Sequence, residues 1–151
     1  MIKIINGDIL KQGYDVILHQ VNVYGVMASG IAKAIKDKYH IAFEQYEFFC
    51  DSRGRREDDL LGIAMQTHTA SGPVIIHLFS QRKYSVAGDG NMTDYDALRK
   101  CLKTVSRDIR KDYKIGIPYN MSCGIAGGDW RIVLNIIIDE LSEHDVTICR
   151  L

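Results

Sequence analysis

Val16-Ile17-Leu18-His19-Gln20-Val21-Asn22-Val23-Tyr24-Gly25-Val26-Met27-Ala28-Ser29-Gly30-Ile31-Ala32 is the stretch on which the fold turns. Val16-Ile17-Leu18 is a short uninterrupted apolar run, the mark of a strand buried on both faces. Ile31, Ile35 and Tyr39 then recur at helical spacing, with Ser29 placed to cap that helix. A glycine-bearing turn lies between the two. Such a turn, set between a strand end and a helix N-terminus, presents backbone N–H groups to an anion.

The same arrangement returns near the end of the chain. Ile115-Gly116-Ile117-Pro118 reads as a short strand, and Asn120-Met121-Ser122-Cys123-Gly124-Ile125-Ala126-Gly127-Gly128-Asp129-Trp130 follows it. Asp129 can cap the next helix, in which Trp130, Val133, Leu134, Ile137, Ile138 and Leu141 make a broad apolar face. Two turns of this kind in one small chain imply a cleft that grips a diphosphate from both sides.

Outward from these segments the pattern is mixed. Ile2–Ile5 reads as a strand and Asn6-Gly7-Asp8 as a turn. A second helix runs roughly from Ile41 to Cys50. Leu60–Thr69 and Val74–Phe79 are β-like runs joined by Ala70-Ser71-Gly72-Pro73, a hairpin-like connection. A polar loop spans Gln81 to Met92. Thr93 is then expected to cap a long helix whose Tyr95, Leu98, Leu102, Val105 and Ile109 form one stripe. Val146–Cys149 closes the chain as a strand. This order predicts one α/β domain over residues 1–151, a three-layer α/β/α sandwich around a central mixed sheet.

Composition excludes several functions. The chain carries 19 basic and 19 acidic residues, so charge argues against wholesale nucleic-acid or membrane binding. Arg53-Gly54-Arg55-Arg56 is cancelled at once by Glu57-Asp58-Asp59 and reads as a solvated loop. The N-terminus is strand-like, with no signal peptide pattern, and no apolar run approaches the about 20 residues that span a bilayer. Cys50, Cys101, Cys123 and Cys149 are scattered without a CxxC pair. That spacing implies a reducing, cytoplasmic setting with no disulfide scaffold, zinc site or other metal site. No cofactor is implied. Cys123 reads as a small packing residue, because its segment lacks the lysine or arginine of a cysteine phosphatase cradle.

The ordered motifs resemble the macro domain family of ADP-ribose-binding modules along the whole chain. Asn6-Gly7-Asp8-Ile9 is similar to the family's opening G-D-I motif, and Val16–Asn22 to its apolar strand and asparagine-rich turn. Met27-Ala28-Ser29-Gly30-Ile31 sits where the family's diphosphate loop runs. Ser122-Cys123-Gly124-Ile125-Ala126-Gly127 resembles its S-x-G-I-x-G loop. The resemblance implies that Asp8 accepts from the adenine amine and that Ile9 contributes backbone beside it. It implies that Met27, Ala28, Ser29, Gly30 and Ile31 form one wall of the diphosphate site. Ser122, Cys123, Gly124, Ile125, Ala126 and Gly127 would form the other.

Departures from the family pattern narrow the expected activity. His19 stands where many catalytic members have asparagine, and Ala32 where they have aspartate. Gln81 and Ala126 stand where another branch, which removes ADP-ribose from acidic side chains or bases, has lysine and aspartate, with Arg82 and Lys83 close to that lysine's place. Histidine at the strand end, Gly30-Ile31-Ala32, Trp130 and a chain ending at Leu151 resemble the branch that dephosphorylates ADP-ribose-1″-phosphate. That branch implies a phosphatase in which His19 touches phosphate or transfers a proton and Asn22 assists at the distal ribose. From the residues alone, His19 reads equally as a satisfied core histidine and Asn22 as a turn former. Tyr84 and Tyr119 are expected to line the pocket. The implied partner is ADP-ribose or ADP-ribose-1″-phosphate, with no membrane, and with nucleic acid entering only as an ADP-ribosylated substrate. A non-catalytic ADP-ribose reader and an ADP-ribosyl glycohydrolase are the alternatives.

Overall fold

A computed structural model describes residues 1–85, 87–124 and 126–151. The strands are β1 (Ile2–Asn6), β2 (Val16–Val21), β3 (Ala64–His68), β4 (Val74–Phe79), β5 (Lys114–Pro118) and β6 (Asp145–Arg150). They form one six-stranded sheet in the order β1-β6-β5-β2-β4-β3. All neighbours are parallel except β3, which runs antiparallel to β4 at one edge. The helices are α1 (Gly30–Lys38), α2 (His40–Ser52), α3 (Glu57–Leu60), α4 (Tyr95–Asp108) and α5 (Trp130–Glu140). The expected three-layer α/β/α sandwich on a mixed sheet is what forms.

The near-continuous apolar strands are explained by cover on both faces. On one face Ile17, Val21, Ile75 and Phe79 pack with Ile35 of α1 and Tyr46 of α2. On the other, Leu18, Ile76, Leu78 and Ile117 pack with Leu98 and Leu102 of α4 and Val133 and Ile137 of α5. Each buried aliphatic side chain of this size contributes about 1.5–3 kcal/mol of hydrophobic stabilisation. Among the described residues no helix is long and apolar enough to cross a membrane.

The chain reverses its direction of travel through the sheet between β2 and β5. From β2 it passes through α1, α2 and β3 to β4, whereas from β5 it passes through α5 to β6. The β2–β5 ladder holds only two register pairs, Val16 with Ile115 and Ile17 with Gly116. Beyond them Leu18–Val21 stays paired with β4 and Ile117–Pro118 with β6, but the two strands no longer pair with each other, and ligand crevices form at such switch points.

Three sequence expectations need correction. Leu60 does not begin a strand: Glu57-Asp58-Asp59 place three carboxylates in the first turn of α3, which Leu60 ends. Carboxylates favour a helix start, so the supposed solvated loop at 57–59 is one helical turn. Gly62, at φ +92, then turns the chain into the shorter strand β3. Thr93 is not the cap of α4: Asp94 is, its side chain accepting from Ala97 N. The Asp129 cap forms as expected, accepting from Arg131 N. Residues 9–11 make a single 3-10 turn capped by Asp8.

Candidate functional site

The loop after β2 is shaped by Asn22. Its Oδ1 accepts from Tyr24 N at 2.9 Å, and its Nδ2 donates to Val26 O at 3.3 Å. From α2, Tyr46 donates its hydroxyl to both Asn22 O and Asn22 Oδ1. Asn22 is therefore a turn former braced from the neighbouring helix. Below it Met27 is buried as a plug, which leaves Ala28, Ser29 and Gly30 exposed at the start of α1. Ser29 occupies the N-cap position with extended backbone but makes no side-chain cap bond. A nine-residue helix thus opens on Gly30, at φ +56, without a side chain closing its first turn. Unsatisfied N–H groups and the positive end of the helix dipole make this end an anion acceptor.

The loop after β5 is held more tightly. Ser122 is a non-glycine residue at φ +72, a conformation L side chains seldom adopt. Its carbonyl accepts from Thr93 Oγ1 at 2.8 Å and Gly128 N at 2.8 Å. A Cβ on Gly128 would stand 2.5 Å from that carbonyl oxygen. One on Gly127, at φ +76, would stand 2.5 Å from Gly90 O. Both glycines are required by close backbone approach. Ala126 is buried, with its carbonyl accepting from Met92 N at 2.7 Å, while Gly124 and Gly127 are exposed. Ile125 lies outside the described residues.

The 80–94 segment joins the two loops. Tyr24 OH donates to Lys83 O at 3.4 Å on one side, and Met92 and Thr93 bond the second loop on the other. Gln81, at the place of the family's branch-specific lysine, pairs with Thr93 in an isolated bridge. Arg82 is taken up by Asp94 and Glu57. Lys83 Nζ sits 5.8 Å from the centre of the Tyr24 ring.

Asp8 ends the turn after β1, beside β6, where Gly7 N donates to Arg150 O. Its Oδ1 accepts from Leu10 N at 3.0 Å, and Ile9 beneath it is buried. Ile31 is half-buried on α1.

His19 is not on the cleft. It is fully buried, facing α2, with Nε2 sharing a 2.9 Å hydrogen bond with His77 Nδ1. His77 Nε2 is in turn 3.1 Å from Thr67 Oγ1, and the Tyr46 ring stacks on His77 at 17°. Burial pushes His19 down to about 3 and His77 well below its ordinary value. Both imidazoles are neutral near pH 7. The alternation of side chains along β2 causes this: with Ile17 and Val21 turned toward α1 and α2, His19 between them must follow.

Other expectations resolve similarly. Cys123 is half-buried, its thiol donating to Met121 O, and burial pushes it up to about 11, so it is no thiolate nucleophile. Hydrogen bonding to Arg131 holds Asp129 below the usual carboxylate range and occupies it as a cap. Tyr119 is half-buried and packs on Trp130, and Arg150 lies 4.0 Å over its ring. Tyr84 projects into solvent at 78% exposure. Among the described residues no group of His, Cys, Asp and Glu could hold a metal ion. A cavity of about 550 Å³ lies instead at the amino ends of β2 and β4, lined by Tyr14, Asp15, Tyr39, Pro73 and Tyr113 among others. Left-handed backbone at Ser122, the start of α1 with no side-chain cap and the crowding at Gly127 and Gly128 come together at these two loops, which makes them the candidate site. The bracing by Tyr46 and Thr93 had no local sequence signal, because each partner lies more than twenty residues away.

The fold and these loops define a macro domain. The chain belongs to that family, whose profile, described as Macro domain, matches residues 18–137. Among solved structures it is similar to a Bacteroides thetaiotaomicron protein of unknown function. The two share 28% identity with a TM-score of 0.86, covering 100% of this chain and 98% of that one. The macrodomain of Mycobacterium tuberculosis DarG shares 26% identity at a TM-score of 0.78, covering 99% of this chain and 97% of that one. Thermosipho africanus DarTG, solved in complex with ADP-ribose, shares 17% identity at a TM-score of 0.79 over 98% of this chain and 41% of that one. No curated protein matches.

Proposed function

We propose that the chain binds the ADP-ribosyl group, with the diphosphate between the loop opening α1 and the Ser122–Gly127 loop. The carrying observation is the pair of glycine-bearing loops at the carboxyl ends of β2 and β5, beyond the two register pairs these strands share, one of them opening on a helix start with no side-chain cap. Backbone amides and the helix dipole attract the two phosphates with no cationic side chain needed. Asp8 takes the adenine amine through the carboxylate oxygen that does not cap the 3-10 turn. The complex of Thermosipho africanus DarTG with ADP-ribose supports the ligand class.

Binding is better supported than hydrolysis. A phosphatase acting on ADP-ribose-1″-phosphate needs a group that moves a proton at the reacting phosphate. His19 is sealed under α2 and neutral, and Asn22 is spent on its own turn. Glycohydrolysis would need Arg82 or Lys83 in place of the lysine missing at Gln81. Arg82 is paired with Asp94 and Glu57, and Lys83 Nζ stands 5.8 Å from the centre of the Tyr24 ring. Hydrolysis of a modified substrate that survives Lys83→Ala would remove this reading's support. The testing experiment is calorimetric titration with ADP-ribose and, in parallel, ADP-ribose-1″-phosphate, followed by assay for released phosphate. Saturable binding of ADP-ribose without phosphate release is the expected result. Phosphate release that survives removal of contaminating phosphatase restores the catalytic reading, and no binding of either ligand refutes the proposal.

A further inference from the structure

We infer that Thr93 is a positioning residue that aims Ser122 at the bound diphosphate, an assignment that rests on the ADP-ribose reading above.

Thr93 sits just before the Asp94 cap, outside both ligand loops, and its side chain is buried. Its N–H is already satisfied by Asn91 Oδ1 at 3.0 Å. Its hydroxyl is free to act across the cleft wall. The hydroxyl donates to Ser122 O at 2.8 Å and lies within 3.4 Å of Gln20 Nε2, which donates to it. Gln20 is the penultimate residue of β2, immediately before the first loop. One threonine hydroxyl therefore ties the end of β2, the start of α4 and the second loop together.

The consequence falls on Ser122. With its carbonyl gripped by Thr93 and Gly128 and boxed by the missing Gly128 side chain, the following peptide plane cannot rotate. Ser122 itself stands at φ +72. In that pose its hydroxyl is buried, at 7% residue exposure, and has no hydrogen-bond partner among the described residues. A buried hydroxyl without a partner is costly, and left-handed strain at a non-glycine residue persists where function requires it. A phosphoryl oxygen entering between the loops supplies the missing acceptor, and a hydroxyl bonded to a charged oxygen gains more than one bonded to a neutral group. Thr93 does not cap α4, because the cap is Asp94.

The test is a double-mutant cycle on ADP-ribose affinity with thermal unfolding of each variant. Thr93→Val removes the hydroxyl at constant shape. Ser122→Gly removes the unpartnered hydroxyl and relieves the left-handed strain. Each is expected to weaken binding about tenfold, in line with loss of one hydrogen bond to a charged group. The double variant is expected to lose about tenfold as well, because Thr93 acts through Ser122. Ser122→Gly should unfold no earlier than wild type, separating ligand contact from stability. Thr93→Ser should bind as wild type does. If Thr93→Val does not fold, Thr93→Ala replaces it in the cycle. Wild-type affinity in the Thr93 hydroxyl-deletion variant, or losses that multiply in the double variant, overturns the assignment. A wild-type chain that takes up no ADP-ribose overturns the binding reading, and the assignment falls with it.

Discussion

Tyr46 reaches from α2 to Asn22 and gives its single hydroxyl proton to a site where backbone and side-chain oxygens converge, at 2.7 and 2.8 Å. Helix and loop are joined there by the tip of an otherwise buried ring. The ring also covers His77, so the brace of the first ligand loop stands directly on the buried histidine pair. Tyr46→Phe keeps the ring and removes the brace. It should cost about 1–2 kcal/mol, since half-exposed Asn22 recovers water. For a chain of this size that lowers the melting temperature by about 2–8 °C. ADP-ribose affinity should fall with it, measured by calorimetry. Unchanged affinity in a folded Tyr46→Phe variant would show that the turn holds itself.

Acid should destabilise the fold before its carboxylates protonate. Burial lowers His19 to about 3 and His77 well below its usual range, whereas unfolded imidazoles take up protons near the ordinary 6.5. The unfolded chain therefore binds more protons below that value. The stabilisation is complete above about pH 6.5 and is lost as pH falls toward the folded value. Each histidine contributes a slope of up to about 1.4 kcal/mol per pH unit in this window. Urea midpoints measured between pH 7.5 and 4.5 should decline, and the His19 ring should show no NMR titration from pH 8 to 5. A His19 signal titrating near 6.5 would contradict both its burial and the exclusion of it from the cleft.

Glycines in the second loop should differ sharply. Gly127→Ala forces a Cβ to within 2.5 Å of Gly90 O at a left-handed φ of +76. Gly124→Ala meets nothing within 4 Å. The first should destabilise by about 1–3 kcal/mol and the second by less than about 0.5 kcal/mol in denaturant unfolding. Equal effects would mean that the 80–94 segment yields to the second loop.

Asp8→Ala should weaken ADP-ribose binding about tenfold, as expected for a lost hydrogen bond to a charged group. It should leave binding of the inosine analogue, which lacks the exocyclic amine, close to wild type. Loss of the 3-10 cap should cost about 1 kcal/mol of stability in the same variant. Parallel loss for both ligands would assign Asp8 to the turn alone.

The legible part of this chain was what periodicity and local chemistry encode. Apolar runs at 16–18 and 74–79, the 98–105 stripe and the Asp129 cap each describe a residue by its sequence neighbours, and each formed. Both glycine-bearing segments emerged at the ends of the strands that precede them. What could not be read was set by partners distant in sequence. Thr93 looks like a cap from its neighbours, but its hydroxyl answers to Ser122 across the cleft. His19 looks like a residue at a strand end, but the alternation of β2 assigns it to the interior. Glu57-Asp58-Asp59 looked like surface charge, and their place in a first helical turn was the overlooked signal.

The two-pair ladder between β2 and β5 has an evolutionary consequence. Beneath the two loops β2 and β5 part from each other while each keeps its other neighbour, β2 with β4 and β5 with β6. A substitution at half-buried Gln81 therefore changes the chemistry beside the loops without touching the strand pairing that carries them. The same sheet can carry loops of different chemistry at this parting.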